Sequence, residues 1–219
     1  MEQKYKKLTG KERLVYKGKK LPFTILNYWQ LNLSVLLLNM TRGGFAEYIV
    51  LCALKKAMPD ALHQVKSGVE EYDIDGPEIT IRGEKRPSRI EVKSAASVQL
   101  DTPDEKEPIR LADTRLRFSI KKAKFENDTE AKRHSDLYVF CHYMGERKTD
   151  NLLDLDLWEF YVYPTYKLDN GFLSEKTGVS IWCLKNELGV EAHRFDTLCQ
   201  AVLDVQKDVE DYQNSHAED

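Results

Sequence analysis

Along Ile90-Glu91-Val92-Lys93-Ser94-Ala95-Ala96 the chain alternates apolar and charged side chains before turning small. Successive side chains of a strand point to opposite faces, so Ile90 and Val92 share one face and Glu91 and Lys93 the other. The acid and the lysine then stand two strand rises apart, roughly 6.5–7 Å between Cα atoms. Ahead of them lies Tyr72-Asp73-Ile74, where Asp73 points opposite to its two neighbours. Strands are expected near Glu70–Asp75, Glu78–Arg82 and Arg89–Ala96, with Asp75-Gly76-Pro77 and Arg82-Gly83-Glu84 supplying the turns. Folding the first strand back on the last brings Asp73, Glu91 and Lys93 onto one patch.

The elements around this hairpin set the fold class. A helix is expected from about Thr24 to Leu38, with Asn39 as its stop. A second, capped by Thr41, runs to about Ala57, and its stripe Ala46, Ile49, Val50, Ala53, Leu54 and Ala57 steps by three and four. Leu100–Pro108 reads as a loop, Arg115–Ile120 as a half-exposed strand, and Asp136–Tyr143 and Trp158–Pro164 as buried strands. Asp196 caps a last amphipathic helix. The order predicts an α/β domain over residues 21–212, preceded by a basic arm (1–20) and followed by an acidic tail (213–219).

Charge narrows the partners. The formal net charge is −3, so any nucleic-acid contact must come from a local basic face. The first twenty residues hold eight Lys or Arg against two Glu, and the last sixteen hold six acids and one Lys. Arg115, Arg117, Lys121, Lys122 and Lys124 form the best local cluster for phosphate. Cys52, Cys141, Cys183 and Cys199 have no ligand spacing, and His63, His142, His193 and His216 are scattered, which argues against zinc. The apolar run Leu33–Leu38 is too short for a membrane span. A cytoplasmic protein is expected. No Gly-rich phosphate loop or nucleophile elbow is present, which disfavours a nucleotide cofactor and α/β-hydrolase chemistry.

Two carboxylates and an ammonium are the inventory that phosphodiester hydrolysis needs. The carboxylates can hold Mg²⁺, and the lysine can orient the attacking water and steady transition-state charge. Glu47, at the edge of the helical stripe, adds a third acid. Ser94 leaves room for a backbone to approach, and Gln99 offers a hydrogen bond to phosphate or base. Arg133-His134 precedes a buried strand that could carry it toward the site. Each residue alone reads more simply as a salt-bridge, turn or boundary residue; the ordered combination carries the argument.

Asp73, the hairpin and Glu91-Val92-Lys93 resemble the PD-(D/E)XK motif of the restriction-endonuclease-like superfamily. Arg42-Gly43-Gly44-Phe45-Ala46-Glu47-Tyr48 is similar to the core-helix segment that carries an extra acid in many members, and Glu91–Ala96 with Gln99 looks like a bacterial branch of it. The resemblance implies an αβββαβ core with a central mixed sheet flanked by helices, Mg²⁺ (or Mn²⁺) dependence and DNA as substrate. It makes Asp73 and Glu91 metal ligands, Glu47 a supporting ligand and Lys93 the catalytic lysine. Ser94, Gln99, Arg117, Lys121 and Lys122 are then the substrate contacts, and a homodimer with two sites is the analogous assembly. Tyr72 stands where the motif has proline, and Asp75 is the alternative to Asp73. The rival reading is a non-catalytic binding or scaffolding module that keeps the fold; RNA cleavage is a third.

Overall fold

A computed structural model describes residues 7–61, 70–99, 109–110, 112–147 and 150–216. The basic arm opens as a hairpin, β1 (Arg13–Tyr16) and β2 (Lys19–Thr24). Lys17 and Gly18 both take positive φ at its tip, as a two-residue turn requires. Thr24 then caps α1 (Ile25–Leu33) through a reciprocal box with Asn27. This helix ends well before Leu38. Asn39 starts the next one, α2 (Asn39–Leu54), and Thr41 lies inside it, so neither residue plays its expected part.

The three expected hairpin strands are two long ones, β3 (Ile74–Ile81) and β4 (Glu84–Ala96). Arg82-Gly83 forms the turn with positive φ at both residues. Asp75-Gly76-Pro77 is instead a bulge within β3, where the register shifts. Gly76 is needed there: a Cβ would lie 2.3 Å from Ser88 Oγ and 2.6 Å from Ile90 Cδ1. After short strands β5 (Val98–Gln99), β6 (Ile109–Arg110) and β7 (Arg117–Ser119), the chain re-enters the sheet as β8 (Leu137–Tyr143) and β9 (Trp158–Pro164). The rest is α3 (Thr165–Asn170), β10 (Gly178–Ser180), α4 (Ile181–Asn186) and α5 (Phe195–Ser215). Arg194, not Asp196, is the N-cap of α5; Asp196 lies in its first turn, where a carboxylate faces the positive helix end. The helix also runs into the expected tail.

The central sheet is mixed, in the order β3-β4-β8-β9, with β4 and β8 parallel and the outer pairs antiparallel. Helices flank it. On one face α2 and α5 pack against Ile90, Val92, Val139 and Cys141. On the other, the β7–β10 pair, α3 and α4 bury Leu116, Phe118, Leu168 and Leu184 against Tyr138, Phe140 and Tyr161. Among the described residues no helix occurs in the β4-to-β8 crossover, where the αβββαβ order expects one. No described helix is long and apolar enough to cross a membrane.

Helix α5 also serves the outer edge of β3. Gln206 donates to the Glu78 carbonyl at 2.7 Å, Glu210 accepts the Thr80 amide at 2.5 Å, and Asn214 accepts the Arg82 amide at 2.7 Å. On the opposite edge Phe160 of β9 exchanges both backbone bonds with His193.

Candidate active site

Asp73 lies one residue before β3. Its amide donates to the Ile90 carbonyl at 3.0 Å, and its carboxylate accepts the Val92 amide at 2.8 Å. The carboxylate therefore takes a ladder bond that a further strand residue would have made, and it is docked on the peptides either side of Glu91. Burial is partial. Asp75 is differently engaged: it accepts the Tyr72 hydroxyl at 3.0 Å and stands across from Arg89. Burial, then Asp75, pushes the Tyr72 phenol up to about 12.

Glu91 and Lys93 form an ion pair along the strand, with their side chains 18% and 30% exposed. Their face of β4 is the one lined by Tyr138 and Phe140 on the neighbouring strand. Burial, with the Glu91 charge behind it, raises the Tyr138 phenol. Glu47 sits half-buried on α2, the helix that covers the other face. Burial, then Glu47 and Asp73 together, raises the Cys141 thiol, which pairs with Ser94 in the β4–β8 register. So Asp73 straddles the sheet edge, with Glu91 and Lys93 on one side and Glu47 and Ser94 on the other. Among the described residues no three His, Cys, Asp or Glu side chains gather closely enough to hold a metal, so the set Glu47, Asp73 and Glu91 is not assembled as a triad. Asp73 and Glu91 as a pair still suit Mg²⁺, which needs only one or two carboxylates when water and phosphate complete its shell.

The expected basic face is divided. On β7 and its flanks Leu116, Phe118 and Ile120 point inward, so Arg115, Arg117 and Lys121 stand exposed. Arg117 touches the Gly178 carbonyl at 3.3 Å, and Lys122 is paired with Glu175 at 2.9 Å. Exposed pairs of this kind are worth about 0–1 kcal/mol and open readily for a phosphate. Gln99 lies in β5 opposite Ile109; its side chain, like His63 and the 100–108 segment, is outside the described residues. Arg133 does not reach the site. Its guanidinium is buried, ion-paired with Asp169, and donates to the carbonyls of Ile120, Leu173, Ser174 and Lys176. His134 turns its ring to Asp128 at 3.0 Å and Glu71 at 3.5 Å. Behind the hairpin, Asp136 accepts a two-pronged contact from Arg86 at 2.6 and 2.9 Å and the Arg89 amide at 2.7 Å. Burial pushes that carboxyl up, but the arginines and the amide outweigh it and leave it below the usual range.

One constellation carries no sequence signal because its members come from three separate strands or strand ends. Ser97 Oγ lies 2.9 Å from His142 Nε2, and His142 Nδ1 faces Glu159 at 3.8 Å. The atoms follow the order of a serine-hydrolase relay. However, 3.8 Å is too long for a hydrogen bond, the Ser97 amide is spent on the Tyr143 carbonyl, and Ser97 and His142 are both buried. The group is a polar lock between strands. The His142 ring, then the Tyr161 hydroxyl at 2.6 Å and the Lys185 charge, hold Glu159 down at about 2, against the upward push of burial. A depressed carboxylate contributes stability above its ordinary value and loses it as pH falls through the depressed one. Glu159→Gln is accordingly expected to lower stability by roughly 1–2 kcal/mol at neutral pH. In urea unfolding the gap from wild type should close between pH 4.5 and about 2; a gap independent of pH would remove the charge from the explanation.

No family model matches the chain, and neither curated proteins nor solved structures give a significant match.

Proposed function

We propose that the chain is a divalent-metal-dependent nuclease of the PD-(D/E)XK type that hydrolyses DNA phosphodiesters. The observation that carries this is the docking of Asp73 on the two peptides flanking Glu91, with Lys93 ion-paired to Glu91 on the same strand. Asp73 and Glu91 would hold Mg²⁺, with Mn²⁺ able to substitute. A bound ion supplies a more acidic water and neutralises charge on the phosphoryl oxygens. Lys93, within reach of Glu91, orients the water and places a positive charge beside the developing oxyanion. Arg117 and Lys121 hold the nucleic-acid backbone, since phosphate contacts supply most sequence-independent affinity. Glu47 acts from behind the sheet, through the field it shares with Asp73, and is not a direct ligand.

One observation favours a second reading, a nucleic-acid-binding module without catalysis: the three acids are not gathered at one point. The deciding assay is nicking of supercoiled plasmid and cleavage of short single-stranded DNA with Mg²⁺ or Mn²⁺. Wild type should cut, stop on chelation, and lose activity on Glu91→Ala. DNA binding without cleavage in either metal, by protein whose Glu91 site binds the ion, would leave the binding module as the answer.

A further inference from the structure

The first forty residues present an apolar surface that the domain itself does not cover. Helix α1, Ile25-Leu26-Asn27-Tyr28-Trp29-Gln30-Leu31-Asn32-Leu33, is apolar around its circumference and carries no charge. A helix of that composition belongs in an interior, yet none of its residues is buried. At nine residues it is also too short to persist on propensity alone. Trp29 packs where Gly10 leaves room, which fixes the helix against the arm but covers little of it. Twelve of the fifteen large apolar side chains that stand exposed among the described residues fall between Leu8 and Tyr48, with Leu31 at 84% and Met40 at 86%.

Together these side chains offer on the order of 1000 Å². The largest apolar patch of an ordinary monomer is ~300–600 Å², and a stable interface takes ~800 Å² from each partner. We infer that this face, built from the β1–β2 hairpin, α1 and the start of α2, pairs with the same face of a second copy of the chain. A two-fold contact needs only one self-complementary patch, and the area on each chain is already what such a contact requires. The absence of charge on α1 disfavours a phosphate-bearing occupant, and a membrane-surface helix would show a strongly charged face beside its apolar one. The lysines flanking the patch, Lys17, Lys19 and Lys20, form its rim. Exposed Asp204 and Asp211 on α5 of the copy supply carboxylates of opposite sign.

The test uses the full chain in sedimentation velocity and light scattering from about 1 to 50 µM. Wild type should run at twice the 25.4 kDa chain mass. Leu31→Asp, and separately Met40→Asp, should weaken the dimer at least tenfold with unchanged far-UV dichroism; both sites are so exposed that the protomer's packing does not depend on them. A monomer throughout the range overturns the inference, and so does a dimer indifferent to both substitutions. Co-sedimentation of wild type with phosphatidylcholine vesicles, lost in Leu31→Asp, would assign the face to lipid and overturn it as well.

Discussion

Lys93→Ala is expected to cut plasmid nicking by roughly 10²–10³-fold, the usual cost of removing one group that stabilises transition-state charge, while divalent-ion binding persists. The two effects separate because of where the ammonium sits. Lys93 is paired with Glu91, so a positive neighbour is already held against one of the two carboxylates assigned to the metal. Removing it leaves that carboxylate no worse a ligand, and electrostatics favours equal or tighter binding of Mn²⁺. Glu91→Ala should lose both binding and cleavage. Lys93→Arg restores the charge but not the compact shape of an ammonium, and little activity should return. Calorimetric titration with Mn²⁺ beside single-turnover cleavage reads the two quantities independently. Loss of ion binding in Lys93→Ala would make the lysine a structural counter-ion, and unchanged cleavage would remove it from the site.

The second large effect concerns stability. Arg133→Ala should cost about 3–5 kcal/mol, the range seen when one partner of a buried ion pair is removed, and lower the melting temperature by roughly 10 °C. The guanidinium joins the segment before β8 to Ile120 and to the turn after α3, and few of its donors lie elsewhere. Deleting it strands the carbonyls of Leu173, Ser174 and Lys176 in a space no other described side chain fills with donors. Asp169→Ala should cost less, since Asp169 is 38% exposed and the carbonyls still cover the guanidinium. A loss below about 1 kcal/mol for Arg133→Ala in urea unfolding would mean the turn holds itself.

The elements that repeat a local rule were legible from the residues. Trp158–Pro164 is a strand at its expected limits, β7 keeps the alternation of Leu116, Phe118 and Ile120, and Glu91 and Lys93 share the face that strand geometry assigns them. Legibility failed where a distant partner decides the outcome. Gly76-Pro77 has turn chemistry, yet Ser88 and Ile90 press on it from the neighbouring strand and make it a bulge. Asp73 was expected on the Glu91 face, but the Val92 amide draws its carboxylate into the plane of the sheet. Glu47 shows a helical-edge position in the sequence, but the face its helix covers is set by the packing of Ala46, Ile49 and Val50. Arg133 looked like a mobile surface cation because nothing local announces the carbonyls that surround it. Ser97, His142 and Glu159 meet only through strand register, which no spacing encodes.

The three α5 side chains along β3 have a consequence for how the molecule meets its neighbours. Four helical residues advance about 6.0 Å and two strand residues about 6.6 Å, so Gln206, Glu210 and Asn214 keep pace with Glu78, Thr80 and Arg82. The helix thus stands in for a fifth strand, using side chains where a strand would use peptides. An unpaired edge is a template onto which another chain can add a strand, and here that template is already occupied, with His193 doing the same for β9. Growth of the central sheet from molecule to molecule is blocked at both margins. Breaking the mimicry, as Asn214→Leu would, should reveal itself first as aggregation rather than as unfolding.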